Sequence, residues 1–393
     1  MPVAIVPVLE RWTTLASRLR DRAAHAEQER RIPLESIDEL TSAGVFRAFT
    51  PARFGGDESA LRPVFDGLTI LAQGCGSTGW VAGLLVIHNF FLTLFDDRAQ
   101  RELWADGPDL RVASSVAPSG EAVRVPGGFT LYGRWMFASG VDHCRWAILN
   151  ARVSDARRPS VPHLFLVPAA DYVVHDDWHV AGLRGTGSKS VHVADVFVPD
   201  YRVESLADLS AGTARGIRQG ACWLTGIPWQ PLFTYAFAPP AIGIALAMVA
   251  AFRDQIATRR SAYTRRACRD VATFQVRLAR SAAEIDAAQT VMRRDLQELE
   301  DCARAGAPLP EASLERMLFD VASIVDVCAR AVDRLFRASG GRALYDDNPL
   351  QRFFRDMHAI TQHAAVDLDS AGERYGKWLL ATHDTPEERR PQP

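Results

Sequence analysis

The periodicity of this 393-residue chain changes twice, and that change constrains the fold more than any single motif. From about residue 9 to 105, apolar residues recur at three- and four-residue spacing, the period of helices with one buried face. Short runs rich in Val, Phe, Trp and Tyr then follow, at 111–117, 122–125, 129–137, 146–153, 163–167 and 191–198. Pro-Gly-Gly, Ala-Ser-Gly and Gly-Thr-Gly turns punctuate them. Beyond Pro239-Pro240 the helical period returns in four long segments, ending near 263, 304, 338 and 380. The pattern predicts an α+β fold: an N-terminal helical domain (1–108), a central antiparallel β domain (109–220) and a C-terminal four-helix bundle with a tail (221–393).

Composition narrows the class. A formal net charge of -2 with no long basic block gives a nucleic-acid partner little electrostatic support. The six cysteines (75, 144, 222, 268, 302 and 328) are scattered and form no CxxC pair. A zinc site and a disulfide scaffold are therefore not indicated, and a reducing cytoplasm is the expected location. Residues 1–10 lack the pattern of a secretory signal. The apolar stretch 79–95 carries His88 and Asn89, and 241–251 runs straight into Arg253 and Asp254. Both are too short or too interrupted to cross a membrane and read as buried helices.

Several residues stand out chemically. His88 lies in VIHNFF, where a satisfied structural histidine and a buried donor to an oxyanion both fit. His363, in AITQHAAVD, is expected on the last bundle helix with Asp367 four residues on, able to orient its ring. No HExxH or two-histidine helical pattern occurs, so these histidines read as acid/base groups and not metal ligands. Ser114 and Ser139 lie in a strand run and a turn without a GxSxG elbow, which argues against a hydrolase nucleophile. LRGTGSKS (183–190) can present amides and hydroxyls to a phosphate or ribityl chain, or form a plain turn. Arg352, Arg355 and Asp356 fit a solvated helix face, or a grip on a neighbouring subunit or a pyrophosphate. Gly340-Gly341 reads as a helix C-cap.

Five stretches in order, GSTGWVAGLLVIHNF, ASSVAPSGEA, GRWMFASGVDHCRW, GLRGTGSKSVHVADVFVP and NPLQRFFRDMHAITQH, together resemble the acyl-CoA dehydrogenase superfamily. Within it they are similar to oxygenase components of two-component flavin monooxygenases, over roughly residues 10 to 380. The resemblance implies reduced FMN or FAD delivered by a separate NAD(P)H:flavin reductase, O2 as co-substrate, a C4a-hydroperoxide, hydroxylation of an aromatic small molecule, and a homotetramer. It implies a substrate-side role for His88, with Ser114 lining the space between substrate and flavin. Ser139 is expected near flavin N5, with Trp135 and Phe137 on the strand flanking the ring. Arg184, Thr186 and Ser188 are expected near the ribityl chain or phosphate, Gly340 and Gly341 on the cofactor side, and His363 beside flavin and substrate. S- or N-oxygenation, acyl-CoA dehydrogenation and a silent flavin-binding scaffold are the alternatives. The absence of a glutamate after Arg355-Asp356 until Glu373 favours oxygen activation.

Overall fold

The computed structural model describes residues 5–155, 158–220, 222–261 and 264–381. Five helices come first: α1 (Ile5–Glu29), α2 (Leu34–Ser42), α3 (Leu61–Gly74), α4 (Gly76–Leu92) and α5 (Asp97–Leu103). Trp12, Leu15, Leu19, Ala23 and Ala26 form the buried stripe of α1, at the spacing its sequence shows. The α4 helix has no polar face at all; its seventeen residues are all buried. Of its two central polar residues, Asn89 is wholly structural. Its amide donates to the carbonyls of Phe46, Leu85 and Leu110, and its oxygen accepts from Trp104 Nε1. His88 points elsewhere.

The strands are β1 (Val112–Val125), β2 (Gly128–Ala138), β3 (Trp146–Asp155), β4 (Arg158–Pro168), β5 (Val173–His175), β6 (Lys189–Pro199) and β7 (Val203–Ser205). They form one sheet in the order β5-β6-β2-β1-β3-β4-β7. The sheet is mixed, which corrects the antiparallel expectation: β1 and β3 run parallel. The β1–β2 hairpin returns the chain to the end where β1 began, and the short link to β3 crosses that end, so β3 sets out beside β1 in the same direction. The runs at 111–117 and 122–125 are one strand with a register shift between Ser115 and Gly120.

After the sheet come α6 (Leu206–Ser210), α7 (Arg215–Gln219), α8 (Trp229–Tyr235), α9 (Ala238–Thr258), α10 (Ala272–Arg304), α11 (Glu311–Ser339), α12 (Pro349–Ile360) and α13 (Leu368–Ala381). The first long segment ends at Thr258 rather than near 263, and residues 262–263 lie outside the described residues. The apolar span reaching through α8 and α9 is mostly buried inside the fold. A Cβ at Gly79 on α4 or at Gly243 on α9 would collide with Ala72 of α3, so both helices approach α3 at backbone distance.

The expected fourth bundle helix is two helices. Between α12 and α13, His363 adopts extended φ/ψ and its Nδ1 accepts the Ala365 N–H at 3.2 Å. A side chain thus takes a backbone donor that a continuing helix would use. Asp367 does not share a helical face with His363. It is exposed and accepts from the Ser370 amide.

Candidate functional site

The residual accessibility of α4 is not scattered. Ser77, Trp80 and Leu84 keep 5 %, 7 % and 7 %, whereas Ala82, Leu85, Val86 and Ile87 keep none. At about 100° per residue, Ser77, Trp80, Leu84, His88 and Phe91 share one stripe. That stripe faces the start of β1, the turn after β2 and the 183–188 loop.

At one end of the stripe stands His88. Its Nδ1 lies 2.5 Å from the Val112 carbonyl oxygen and its Nε2 lies 2.8 Å from Ser114 Oγ. A carbonyl only accepts, so Nδ1 carries the proton and Nε2 presents a lone pair. Burial pushes the imidazole down to about 4, keeping the ring neutral at ordinary pH. Ser114 therefore donates to Nε2, and the oxygen of Ser114 keeps lone pairs for a further hydroxyl. The two meet because β1 runs past α4, which brings the Val112 carbonyl and the Ser114 hydroxyl to opposite nitrogens of one ring.

At the other end, Trp80 Nε1 donates to Ser139 Oγ at 3.1 Å. Ser139 Oγ is 2.7 Å from Ser188 Oγ, Ser188 Oγ is 2.7 Å from Thr186 Oγ1, and Thr186 Oγ1 donates to the Leu183 carbonyl at 2.8 Å. The last bond fixes the direction of the rest: each hydroxyl gives its proton onward, from Ser139 to Ser188 to Thr186. Ser139 is left able to accept one more hydrogen bond. Beside this chain the Nε of Arg184 is buried without a hydrogen-bond partner. The loop bends through left-handed conformations at Leu183 (φ 53°) and Gly187 (φ 53°). Phe137 also has positive φ (65°), at the register shift of β2 against β6, a rare conformation for an aromatic residue. Its ring is 61 % exposed and stands edge-on to Trp178, 6.1 Å between centroids.

His363 meets this stripe from the bundle side. Its ring lies 4.1 Å from Phe237 and 5.8 Å from Trp80, between centroids. Burial pushes it, too, down to about 4. The aromatic wall continues from Phe237 through Phe233 and Phe91 to Trp229.

Other expected positions sit elsewhere. Trp135 is fully enclosed, with its Nε1 donating to the Asn150 carbonyl at 2.6 Å. A Cβ at Gly120 would fall inside its ring. It is a core residue of the sheet and offers no open face. Gly340 does end α11 with φ 73°, but it backs onto the Arg259 guanidinium, and Gly341 has open space around it. Among the described residues no hydrogen bond joins either glycine to the loop. Asp356 is buried, contrary to the solvated-face expectation, and accepts the Leu183 amide at 2.6 Å. Trp80, Trp178 and Phe237 were not singled out from the sequence. Only Trp80 carried a signal, lying eight residues before His88 and so on the same helical face.

Residues 235–368 match the acyl-CoA dehydrogenase C-terminal domain family. The chain is 36 % identical over 369 residues to the oxygenase subunit HsaA, a flavin-dependent monooxygenase of Rhodococcus jostii, covering 94 % of this chain and 97 % of that one. It is 31 % identical to the oxygenase component of p-hydroxyphenylacetate 3-hydroxylase from Acinetobacter baumannii, covering 98 % and 91 %. Among solved structures, XiaF from a Streptomyces species in complex with FADH2 and glycerol superposes with a TM-score of 0.89 at 30 % identity, covering 99 % and 98 %.

Proposed function

The chain belongs to the two-component flavin-dependent monooxygenases of the acyl-CoA dehydrogenase fold, as an oxygenase component working with reduced flavin and O2, and from that premise we propose that it hydroxylates a phenolic ring anchored by Ser114 and His88. The observation that carries this reading is the alignment of Val112 carbonyl, His88 and Ser114, which ends in a free acceptor on the Ser114 oxygen.

The donor set at the opposite end fits a flavin. Ser139, Thr186 and Ser188 supply hydroxyls, Arg184 an unpartnered buried N–H, and Phe137 and Trp178 aromatic surface for a planar ring. Bound reduced flavin supplies the oxygen chemistry, activating O2 so that one atom can be transferred to an electron-rich carbon.

The chain's own residues prepare that carbon. A phenol hydroxyl donates to Ser114 Oγ. As it ionises, its proton passes to Ser114 while the Ser114 proton passes to His88 Nε2. The imidazolium then keeps its Nδ1–H on the Val112 carbonyl, and the adjacent phenolate raises its pKa from the resting value near 4. The base is thus armed by the substrate and idle without it. The phenolate's ortho carbon is the better nucleophile. The buried stripe of α4 and the Phe237–Phe233–Phe91 wall keep bulk water out. A substrate oxidised at sulfur or nitrogen needs no hydroxyl relay, so the Ser114–His88 pair favours ring hydroxylation.

A separate NAD(P)H:flavin reductase supplies the reduced flavin in this reading, which is supported by the lack of a nicotinamide-binding glycine fingerprint. The enzyme works in the cytoplasm as a homotetramer; exposed Val276, Leu344 and Tyr345 on the helical C-terminal half support a covered surface there. Purified protein is expected to show no turnover with NADH alone, and to form catechol-type product from a phenol with chemically reduced FMN or FAD and O2. Rapid NADH oxidation by the chain by itself would overturn the two-component reading.

A further inference from the structure

The 181–188 loop holds one tight turn of its own, in which the Leu183 carbonyl accepts from the Thr186 amide and hydroxyl, and is tied down further from outside. Its left-handed bends at Leu183 and Gly187 are reinforced from two other elements, α1 and α12. From α12, Arg355 Nη1 donates to the Ala181 carbonyl at 2.7 Å, and Asp356 Oδ1 accepts the Leu183 amide at 2.6 Å. Gly182 lies so close that an added Cβ would collide with the Arg355 carbonyl oxygen. From α1, Glu27 pairs with the same Arg355. The other Asp356 oxygen lies toward the first turn of α4, 3.3 Å from where a Cβ on Gly76 would stand. One carboxylate thus touches the loop, the start of the site helix and the bundle together.

We propose that Asp356 is a positioning residue for flavin binding, whose carboxylate latches the Leu183 amide and so sets the Thr186–Ser188–Ser139 hydroxyl chain in register with α4. The inference rests on the assignment of that loop to the flavin.

An ion pair is not the reason an acid stands here. Among the described residues Asp356 makes no ion pair, because the neighbouring Arg355 turns to Glu27. Glu27 on α1, Arg352 and Arg355 on α12 and Cys75 ahead of α4 surround it. Burial pushes its carboxyl up to about 6, so at neutral pH the folded chain retains a desolvated charge that a leucine of similar size would spare it. What the leucine lacks is an acceptor for the Leu183 N–H. That same N–H belongs to the residue whose carbonyl ends the hydroxyl chain.

The test uses three variants of the full chain. Asp356→Ala removes the acceptor, Asp356→Asn keeps an acceptor oxygen without the charge, and Gly182→Ala pushes the loop off α12. Amide hydrogen exchange of the flavin-free protein reads the loop directly, and anaerobic titration with reduced FMN and FAD reads the cofactor. Asp356→Ala and Gly182→Ala are expected to speed exchange across 181–188 and to weaken reduced-flavin binding by roughly tenfold to a hundredfold, as loss of a charged hydrogen bond implies. The KM for the phenol should stay unchanged. Asp356→Asn should restore most of the protection and affinity, with a melting temperature at pH 8 equal to or above that of the parent. Unchanged exchange in Asp356→Ala, or a folded Asp356→Asn that exchanges as fast as Asp356→Ala, would overturn the latch. Faster exchange with unaltered flavin affinity would instead overturn the assignment of the loop to flavin, and the proposal with it.

Discussion

The two ends of the site each hold a histidine pushed down to about 4, His88 fully buried and His363 partly so, yet they have opposite polarity. His88 sits in the middle of a regular helix with both ring nitrogens engaged, Nδ1 on the Val112 carbonyl and Nε2 on Ser114. His363 sits where a helix has broken, with Nδ1 accepting the Ala365 amide and its ring packed against Phe237 and Trp80. In the neutral ring that leaves the His363 proton on Nε2. His88 therefore offers a lone pair to Ser114, and His363 carries an N–H on Nε2. Burial pushes both pKa values down, opposed at His88 by the hydrogen bond to the Val112 carbonyl; the backbone partner of Nδ1 decides which ring accepts and which donates at Nε2.

The largest expected effect breaks the two ends apart. His88→Ala is expected to lower phenol hydroxylation by about 10²–10⁴-fold, the usual worth of a positioned base, while reduced-flavin binding stays normal. His363→Ala should disturb the flavin end, weakening cofactor binding or oxygen consumption without substrate, because it frees Trp80, the donor to Ser139. Single-turnover kinetics with thermal melts separate these outcomes from general loosening. If both variants melt much lower and fail in the same way, the histidines are packing residues.

Acid should expose the shared part of their chemistry. Each ring's folded pKa lies near 4, below the ordinary 6.5, so between those values the unfolded chain binds protons the folded chain refuses. Their contribution to stability is present above about pH 6.5 and is lost as pH falls toward 4. For fully buried His88 this amounts to ~3 kcal/mol. His88→Gln should flatten that limb of the pH–melting curve; a curve of unchanged slope would place the ring in a far wetter setting.

The smallest effect sharpens the flavin end. Ser139→Ala removes the acceptor of Trp80 and the donor to Ser188, a loss of ~1.5–3 kcal/mol if the hydroxyl meets a charged or strongly polar group. Flavin should still bind, and peroxide released per product should rise roughly tenfold to a hundredfold. An unchanged ratio would leave Ser139 a turn residue only.

Much of this was legible in the chain, and the exceptions have definite causes. The order of helices, sheet and helices follows from the change of period. The direction of β3 does not, because two-residue alternation is the same for parallel and antiparallel neighbours. His88 stood out as a polar residue in an apolar run, but its partner lies 26 residues away on another element and only the family likeness pointed to it. The break at His363 was hidden because apolar residues continue on both sides of it and a side chain, not a proline or glycine, ends the helix. The enclosure of Trp135 is not legible in the sequence because Gly120 and Gly133, which cradle it, are brought together only by strand pairing. Asp356 took on the look of its arginine neighbours, and only packing shows that it turns inward while Arg355 bridges to Glu27.

The opposite polarity of the two histidines is open to direct observation. Nitrogen NMR of the flavin-free protein labelled with ¹⁵N-histidine, with the two resonance sets assigned through His88→Gln and His363→Gln, reports which ring nitrogen carries the proton. The account predicts two rings that remain neutral down to about pH 5, His88 protonated at Nδ1 and His363 at Nε2. The same tautomer at both positions, or titration of either ring near 6.5, would contradict it.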